Sequence, residues 1–595
     1  MSIRTVNATM GRIPFDLLLL NVQVVNVLTA TIYPADIGII DGTFAYVGKA
    51  LAFHSAKEYF DGEGAFAVPG YIDSHMHIES SMMTPLNFAR AVVPMGTTTV
   101  AADPHEIANV LGEQGVQILA DRSRNLPLHI HIMAPSTIPS APGFETSAVH
   151  VGPEEVARML AYPGVLGLGE VMDFNGVIAG DRTMLAIIDA AKERGVILDG
   201  HVPTLTGHQL QAFIASGIDA DHTYMDPSIV EEKLQNGMAV QIQERFFTPD
   251  LMAYLNKAPV QDRIMLVTDD VPISRLVHHG HVDALLRHAV SLGLDPIKAV
   301  RYVTINAANR LRLYHKGAIA PGYGADLVLL GDLVSFKALS VFSEGQLVAQ
   351  GNSMVTTSEA QPFPPEAFHT MHIKAVTLSD FTIEARGSKA LVNVIEQDGK
   401  TSRTTHRQVE LPVIGNVLQQ GNLMKMSIFE RHSGKGSCSH GLIGNMDGFR
   451  GAIATSYAHD CHNLVVYSAN DADAVLAANT VIASQGGVAA VLDGVVLGSI
   501  ALPIAGLLCE DEMESVAAKF ASVDRAAQTQ LHLNHEETLT FITLMPLAVS
   551  PEIKLTDKGL LDVLNKRFIP GIESCFDSDG DQVDCPEPSG RYNHE

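Results

Sequence analysis

The sequence predicts an α/β chain. A (β/α)8 barrel is flanked by short β-blocks that form one small domain, and a separate C-terminal α/β or α+β domain follows. Three observations predict it. Eight strand-type segments alternate with eight helix-type segments from about residue 68 onward, the rhythm of a (β/α)8 barrel. Similar β-type blocks stand on both sides of that section. Polar, metal-type residues recur at the ends of the predicted strands, where active sites of such barrels lie.

The first β-block runs through Val22–Val27 and Ile37–Val47, with Asp41-Gly42 between two apolar runs as a hairpin signal. A matching block returns at Ala325–Leu330 and Val341–Ala349. Residues 1–67 and 318–360 are therefore assigned to one small β domain, and residues 68–317 to the barrel. The barrel strands are expected at 68–76, 97–102, 128–134, 165–171, 196–201, 218–222, 238–243 and 264–269. Helices are expected at Leu86–Met95, Ala108–Arg124, Glu154–Ala161, Thr183–Arg194, Gly207–Ser216, Ser228–Asn236, Pro249–Lys257 and His281–Leu292. A doubly wound sheet is the rival, but it rarely places polar residues at so many strand ends.

Pro362, Pro364 and Pro365 mark a linker. Residues 370–573 form the further domain, with a strand at Leu464–Tyr467 and a helix from Asp471 to Gln485. Residues 574–595 are polar and acidic and are expected to be a disordered tail. Asp577, Asp579 and Asp581 loosely resemble a calcium loop, but the glycine is misplaced and no Glu follows at the required offset.

Composition narrows the function. The chain has 595 residues, 46% hydrophobic and 18% charged, which suits two or three well-cored domains. A formal net charge of −26 disfavours nucleic acid and anionic membrane as partners. Five cysteines, at 438, 461, 509, 575 and 585, form no C-x-x-C pair, which suits a reducing compartment. The N-terminus lacks a signal-peptide pattern. The apolar stretch Phe15–Leu28 is broken by Asp16, Asn21, Gln23 and Asn26 and reads as β-strand, not membrane span. A cytoplasmic protein is expected.

His75-Met76-His77 carries the most chemistry. Residues i and i+2 of a strand share a face, so two imidazoles about 6–7 Å apart at Cα can converge on one ion at roughly 2.1 Å each. Further strand ends follow the same pattern: Asp103-Pro-His-Glu106 after strand 2, Glu170 on strand 4, His201 on strand 5, His222 on strand 6 and Asp269 on strand 8. His75, His77 and Asp269 can hold one divalent ion and His201 and His222 a second, with Glu170 bridging. All-N/O ligation suits Zn, Mn or Fe(II). Asp269, beside a metal-activated water, can accept its proton and pass it on. Taken singly, a strand-end His or Asp is more often a cap or turn residue. Several strands delivering such residues at one end is hard to explain as coincidence.

Other motifs are weaker. Gly434-Lys-Gly436 lacks Walker spacing, and neither His105-Glu106 nor His535-Glu536 is followed by a zincin's second His. His77-Ile-Glu79 mimics the H-x-E of cytidine-type zinc deaminases, but the P-C-x-x-C is missing. The cluster His459-Asp-Cys-His462-Asn463 reads first as a satisfied polar turn, with a second metal site or a loop reaching the barrel as the alternatives.

Pro69-Gly-Tyr-Ile-Asp-Ser-His-Met-His77, followed in order by Glu170, His201, His222 and Asp269, resembles the amidohydrolase superfamily. The flanking β-blocks are similar to its small β-sandwich domain. His77-Ile-Glu-Ser-Ser-Met-Met-Thr-Pro85, Asp103-Pro-His-Glu-Ile-Ala-Asn-Val110, Gly451-Ala-Ile-Ala454 and His459–Asn463 resemble the bacterial adenine deaminase family, over roughly residues 15–570. Cys461 stands where the family suggests Ser, and the acidic tail has no match. The resemblance implies hydrolysis of adenine to hypoxanthine and ammonia at a binuclear Mn or Fe centre bridged by Glu170. It implies Glu106 as the acid near N1 and Asp269 as the shuttle to the departing amine. Asp103, His105, Ser80 and Ser81 are implied as substrate contacts or supporting residues, the partner as a free purine base, and the assembly as a homodimer. A cyclic amidase or N-acetyl sugar deacetylase of the same superfamily is the alternative. A non-catalytic relative fits less well, because the metal-type residues are all retained.

Overall fold

The computed structural model describes residues 3–397, 403–533, 535 and 537–586. The chain divides into two compact units. The first comprises Met1–Pro104, Gln117–Ser136 and Gly152–Gln361, and the second His105–Val116, Thr137–Val151 and Pro362–Glu595.

The first unit contains a parallel barrel. Its strands are β1 (Tyr71–His77), β2 (Thr97–Ala102), β3 (His129–Ala134), β4 (Val165–Val171), β5 (Ile197–Gly200), β6 (Ala220–Asp221), β7 (Ala239–Gln243) and β8 (Ile264–Val267, resuming at Asp269–Asp270). They follow one another around the sheet in sequence order. Pairing of Asp269 with Met76 and of Asp270 with His77 joins the last strand to the first. Every residue of β1 and β2 is buried, which explains why barrel strands lack a clear apolar–polar alternation. Ile72, Ala101, Met133, Ile197, Ala220, Ala239, Met265 and Val267, drawn from seven strands, pack together with Ala307, Ala308 and Leu311.

The predicted strands and helices are present with small shifts in their ends. Local chemistry sets the helix starts. Asp181 accepts the N–H of Met184 at 2.8 Å, and Thr248 accepts that of Leu251 at 3.1 Å with Pro249 in the first helical position. One expected helix, Ala108–Arg124, is two: His105–Leu111 and Glu113–Arg122. Gly112 between them sits at φ 62°, the left-handed geometry that ends a helix.

The flanks of the barrel form one nine-stranded sheet. Leu327–Leu330 pairs antiparallel with Phe66–Pro69, joining the late block to the early one. Leu19, Val24, Ile37, Phe44, Ala67, Leu327 and Phe342 share its core. Asp41 and Gly42 both have positive φ, 49° and 68°, as a two-residue hairpin turn of this hand requires.

The second unit is built on an eleven-stranded sheet. The helix Asp471–Ala483, capped by Asn470, packs on Leu464, Val466, Ala452 and Ala489. The segment expected to be a disordered tail differs in its first part. Ile572–Phe576 pairs with Lys389–Gln397, and Gln582–Val583 pairs back on it. Cys575, opposite Ala390, is fully buried and anchors that edge. Asp577 Oδ1 accepts the N–H groups of Asp579 and Asp581, so this acidic run forms a tight turn. The rest of the expected tail, 587–595, lies outside the described residues. No helix among the described residues is long and apolar enough to cross a membrane.

Candidate metal centre

His75 and His77 end β1, Glu170 lies near the end of β4, His201 and His222 directly follow β5 and β6, and Asp269 opens the second run of β8. The parallel barrel therefore brings all six to one end. His77 Nε2 lies 3.4 Å from Glu170 Oε1 and 3.2 Å from Asp269 Oδ1. The same Asp269 oxygen is 3.5 Å from His75 Nε2. Glu170 Oε2 lies 2.6 Å from His201 Nδ1 and 3.1 Å from His222 Nε2. One Glu170 oxygen thus faces the β1 pair and the other faces the β5–β6 pair. The His75 and His222 rings stack at 3.8 Å.

These separations fit a cation. Two donors each about 2.1 Å from one ion, at tetrahedral or octahedral angles, stand roughly 3.0–3.4 Å apart. His201 Nδ1 and His222 Nε2 face each other at 3.2 Å across Glu170 Oε2, and His222 Nδ1 is buried with no hydrogen-bond partner. All members are buried except His201, which is partly exposed. Burial alone would push the Glu170 carboxyl up; His222 and His201 outweigh it and hold the group well below the usual carboxylate range. Asp269 is likewise held low against burial by His75 and His77. A ligand carboxylate must be ionised, and the histidines hold both groups toward that form. Asp269 adopts φ 61°, a left-handed backbone that a non-glycine residue keeps only where its surroundings enforce it.

Four buried aspartates support the donors from behind. Asp103 accepts the N–H of Glu170 on Oδ2 at 2.8 Å, and its carbonyl lies 2.8 Å from His77 Nδ1. Asp221 accepts the N–H groups of Val202 and Thr223, the residues after His201 and His222, together with the Lys233 ammonium. Asp73 accepts the Thr268 hydroxyl, next to Asp269. Asp199 lies 3.8 Å from His75 Nδ1 and is paired with Arg310. Of these only Asp103 was singled out in the sequence. Asp199 and Asp221 each stand one or two residues before a candidate histidine, and that spacing was the available signal.

The remaining candidates are placed elsewhere. Ser80 donates its hydroxyl to Asp270. Ser81 donates to the Ile78 carbonyl at 2.6 Å and closes a helical turn. His105 and Glu106 begin the helix His105–Leu111 in the second unit. There Glu106 is fully buried, with Oε1 against His459 Nδ1 and Oε2 against His462 Nε2. Burial would raise its pKa, but His459, His462 and His105 together hold it well below the usual carboxylate range. His459 and His462 are thus bound to the candidate acid, a role their sequence cluster did not reveal.

Comparison with known proteins agrees with this layout. Residues 66–348 match the amidohydrolase family, and residues 401–567 match the adenine deaminase C-terminal domain. The adenine deaminase of Moorella thermoacetica is 38% identical over 573 residues, covering 94% of this chain and 96% of its own. Adenine deaminase 2 of Carboxydothermus hydrogenoformans is 36% identical, covering 95% and 98%. The adenine deaminase of Halalkalibacterium halodurans is also 36% identical, covering 93% and 95%. The chain belongs to the adenine deaminase family. Membership of the amidohydrolases implies divalent-metal binding, and the His75, His77, Glu170, His201, His222 and Asp269 cluster has the donors for it.

Proposed function

We infer that this chain hydrolyses adenine to hypoxanthine and ammonia. Its near-full-length kinship with adenine deaminases carries the reading. In this reading His75, His77 and Asp269 hold one divalent ion and His201 and His222 a second, with Glu170 between them. Mn or Fe(II) are the leading candidates, with Zn next. Ions held there would supply Lewis acidity that lowers the pKa of a nearby water toward neutrality.

The protein side chains then move the protons. Water attacks C6 of the purine as Asp269 takes one of its protons. Glu106 is assigned to N1, where it would have to carry a proton to neutralise the charge that develops on the ring. Asp269 passes its proton to the departing amine. The proton lost from the C6 hydroxyl as the carbonyl forms balances the one given to N1. Adenine and water thereby become hypoxanthine and ammonia. Asp103 acts behind Glu170 and His77, and Ser80 and Ser81 hold the loop after β1.

Residues 68–317 form the catalytic barrel, 1–67 with 318–360 its flanking domain, and 370–573 the C-terminal domain. The five free thiols fit a reducing, cytoplasmic setting; a homodimer acting on a small purine base completes the reading. The test is ammonia release by the metal-loaded protein from adenine, adenosine, AMP, guanine, cytosine, dihydroorotate and N-acetylglucosamine 6-phosphate. Adenine is expected to be fastest by far. A faster rate on either of the last two would move the chain to the amidase or deacetylase reading.

A further inference from the structure

The turn after β7 is anchored from three sides, all within the first unit. Gln243, the last residue of β7, donates Nε2 to the His222 carbonyl at 2.8 Å. Glu244 follows it and faces His288 Nδ1 at 2.7 Å and the Arg275 guanidinium. Those two partners come from the helices Val282–Ser291 and Ile273–His279. Glu244–Phe246 is a single 3-10 turn held between these anchors. It sends Arg245 to Asp269 and Phe246 to Tyr224. Arg245 Nη2 lies 3.5 Å from Asp269 Oδ2. The guanidinium carbon stands 5.0 Å from the centre of the Phe246 ring. Phe246 in turn meets Tyr224 edge to face at 5.4 Å, and Tyr224 is two residues after His222.

Charge balance alone does not account for this arginine. Asp269 already faces His75 and His77 through its other oxygen, Oδ1. The Arg245 side chain is 63% exposed, and an exposed ion pair of that length is worth little. A guanidinium is also a fork of several donors. One long contact through Nη2 leaves most of that fork for a ligand at the mouth of the barrel.

We propose that Arg245 determines specificity by touching the substrate: with Asp269 Oδ2 it forms a donor–acceptor pair that reads the adenine edge carrying the 6-amino group and N7. This rests on the reading that the chain deaminates adenine with Asp269 beside the departing amine. On that edge adenine offers an N–H donor at N6 and an acceptor at N7. Asp269 Oδ2 is the acceptor that matches the first, and Arg245 is the donor that matches the second. The other acceptor beside C6, N1, does not suit Arg245. N1 must gain a proton as C6 is attacked, and a guanidinium does not give one up. N7 stays an acceptor throughout. Phe246 positions the guanidinium through its ring face, and Tyr224 braces Phe246. Guanine carries an acceptor oxygen at C6, which the Asp269 carboxylate repels, so the same pair turns guanine away.

The test uses the full-length, metal-loaded protein and two bases, adenine and 7-deazaadenine, in which a C–H replaces N7. Parent, Arg245→Met, Arg245→Lys and Phe246→Leu are compared. For each, kcat/KM is measured on both bases together with metal content. Where 7-deazaadenine is not turned over, its inhibition constant against adenine takes the place of kcat/KM. A hydrogen bond from a charged donor is worth about 10–100-fold. Arg245→Met should lose about that factor on adenine and little on 7-deazaadenine, so the parent's preference for adenine collapses while metal content holds. Arg245→Lys, a point donor without the fork, and Phe246→Leu should each keep part of the preference. An undiminished preference in Arg245→Met, or an equal loss on both bases, would overturn the proposal and leave adenine deamination by the parent standing. A parent that releases no ammonia from adenine would overturn that reading and the proposal with it. Metal shed by Arg245→Met, with the rate restored by added metal, would also overturn the proposal, making Arg245 a support for Asp269 alone.

Discussion

The carboxylate of Asp103 accepts the backbone N–H of Glu170 at 2.8 Å. The two residues lie at the ends of β2 and β4, so one side chain fixes where a donor from another strand stands. The fit is close: a Cβ on Gly169 would come within 2.2 Å of Asp103 Oδ2. The Asp103 carbonyl meets His77 as well, so this residue sets two of the six donors.

Asp103→Ala should therefore weaken metal retention without removing any donor. The Glu170 N–H would lose its partner in a buried setting, at a cost of about 1–3 kcal/mol. Supporting groups of this kind are typically worth about 10–100-fold in metal affinity. Asp103→Asn, which keeps an acceptor, should lose less. Competition against a chelator of known affinity reads both, and equal affinity in Asp103→Ala and the parent would remove the role.

Asp221 makes a second such anchor. It accepts the Lys233 ammonium at 2.6 Å in a site where both side chains are almost wholly buried. Lys233→Met leaves an uncompensated carboxylate and should cost about 3–5 kcal/mol, the usual penalty for breaking a buried pair. Lys233→Met with Asp221→Asn should recover part of that loss. Because Asp221 also holds the residues after His201 and His222, both single variants should shed metal more readily. Thermal melts with and without chelator measure the two effects. A double variant no more stable than Lys233→Met would mean that the lone charge is not the cause.

Much of this was legible in the sequence because strand ends and side-chain direction follow from periodicity. His75 and His77 share a face by the two-residue repeat, and Glu170, His201, His222 and Asp269 close predicted strands. Asp41-Gly42 announced its hairpin by residue type alone. What was hidden depends on distance along the chain. Glu106 and His462 are 356 residues apart, and no local pattern links them. Ser80 and Asp270 meet across the closure between β1 and β8, a contact set by register. The polar run after Ser574 looked like tail because one buried Cys575 is too little apolar signal to mark a strand.

Glu170→Gln tests the division of its two oxygens. The amide keeps the size of the side chain but replaces one anionic oxygen with a nitrogen that is a donor only. The variant should bind at least one ion more weakly and turn over adenine far more slowly. Chelation should silence the parent, and added Mn or Fe(II) should restore it. Elemental analysis settles the first point, and undiminished metal together with a near-parental rate would remove Glu170 from between the two donor groups.

Glu145 carries a pH signature of its own. Burial first, then the charge of Asp460, raises its carboxyl to about 7. Oε1 accepts from the Ser140 hydroxyl and the Ala141 N–H, while Oε2 is buried with no hydrogen bond. A folded pKa above the ordinary glutamate value of 4.5 means that the native state binds the extra proton between those values. Stability from this group is therefore complete below about pH 4.5, falls as pH rises, and is lost above about 7. The penalty at alkaline pH is on the order of 3 kcal/mol. Glu145→Gln keeps the acceptor for Ser140 and Ala141 and cannot ionise. Its thermal midpoint should exceed the parent's at pH 8, and the gain should vanish near pH 5. A difference that stays constant across that range would mean that Glu145 is charged in the native protein at every pH tested.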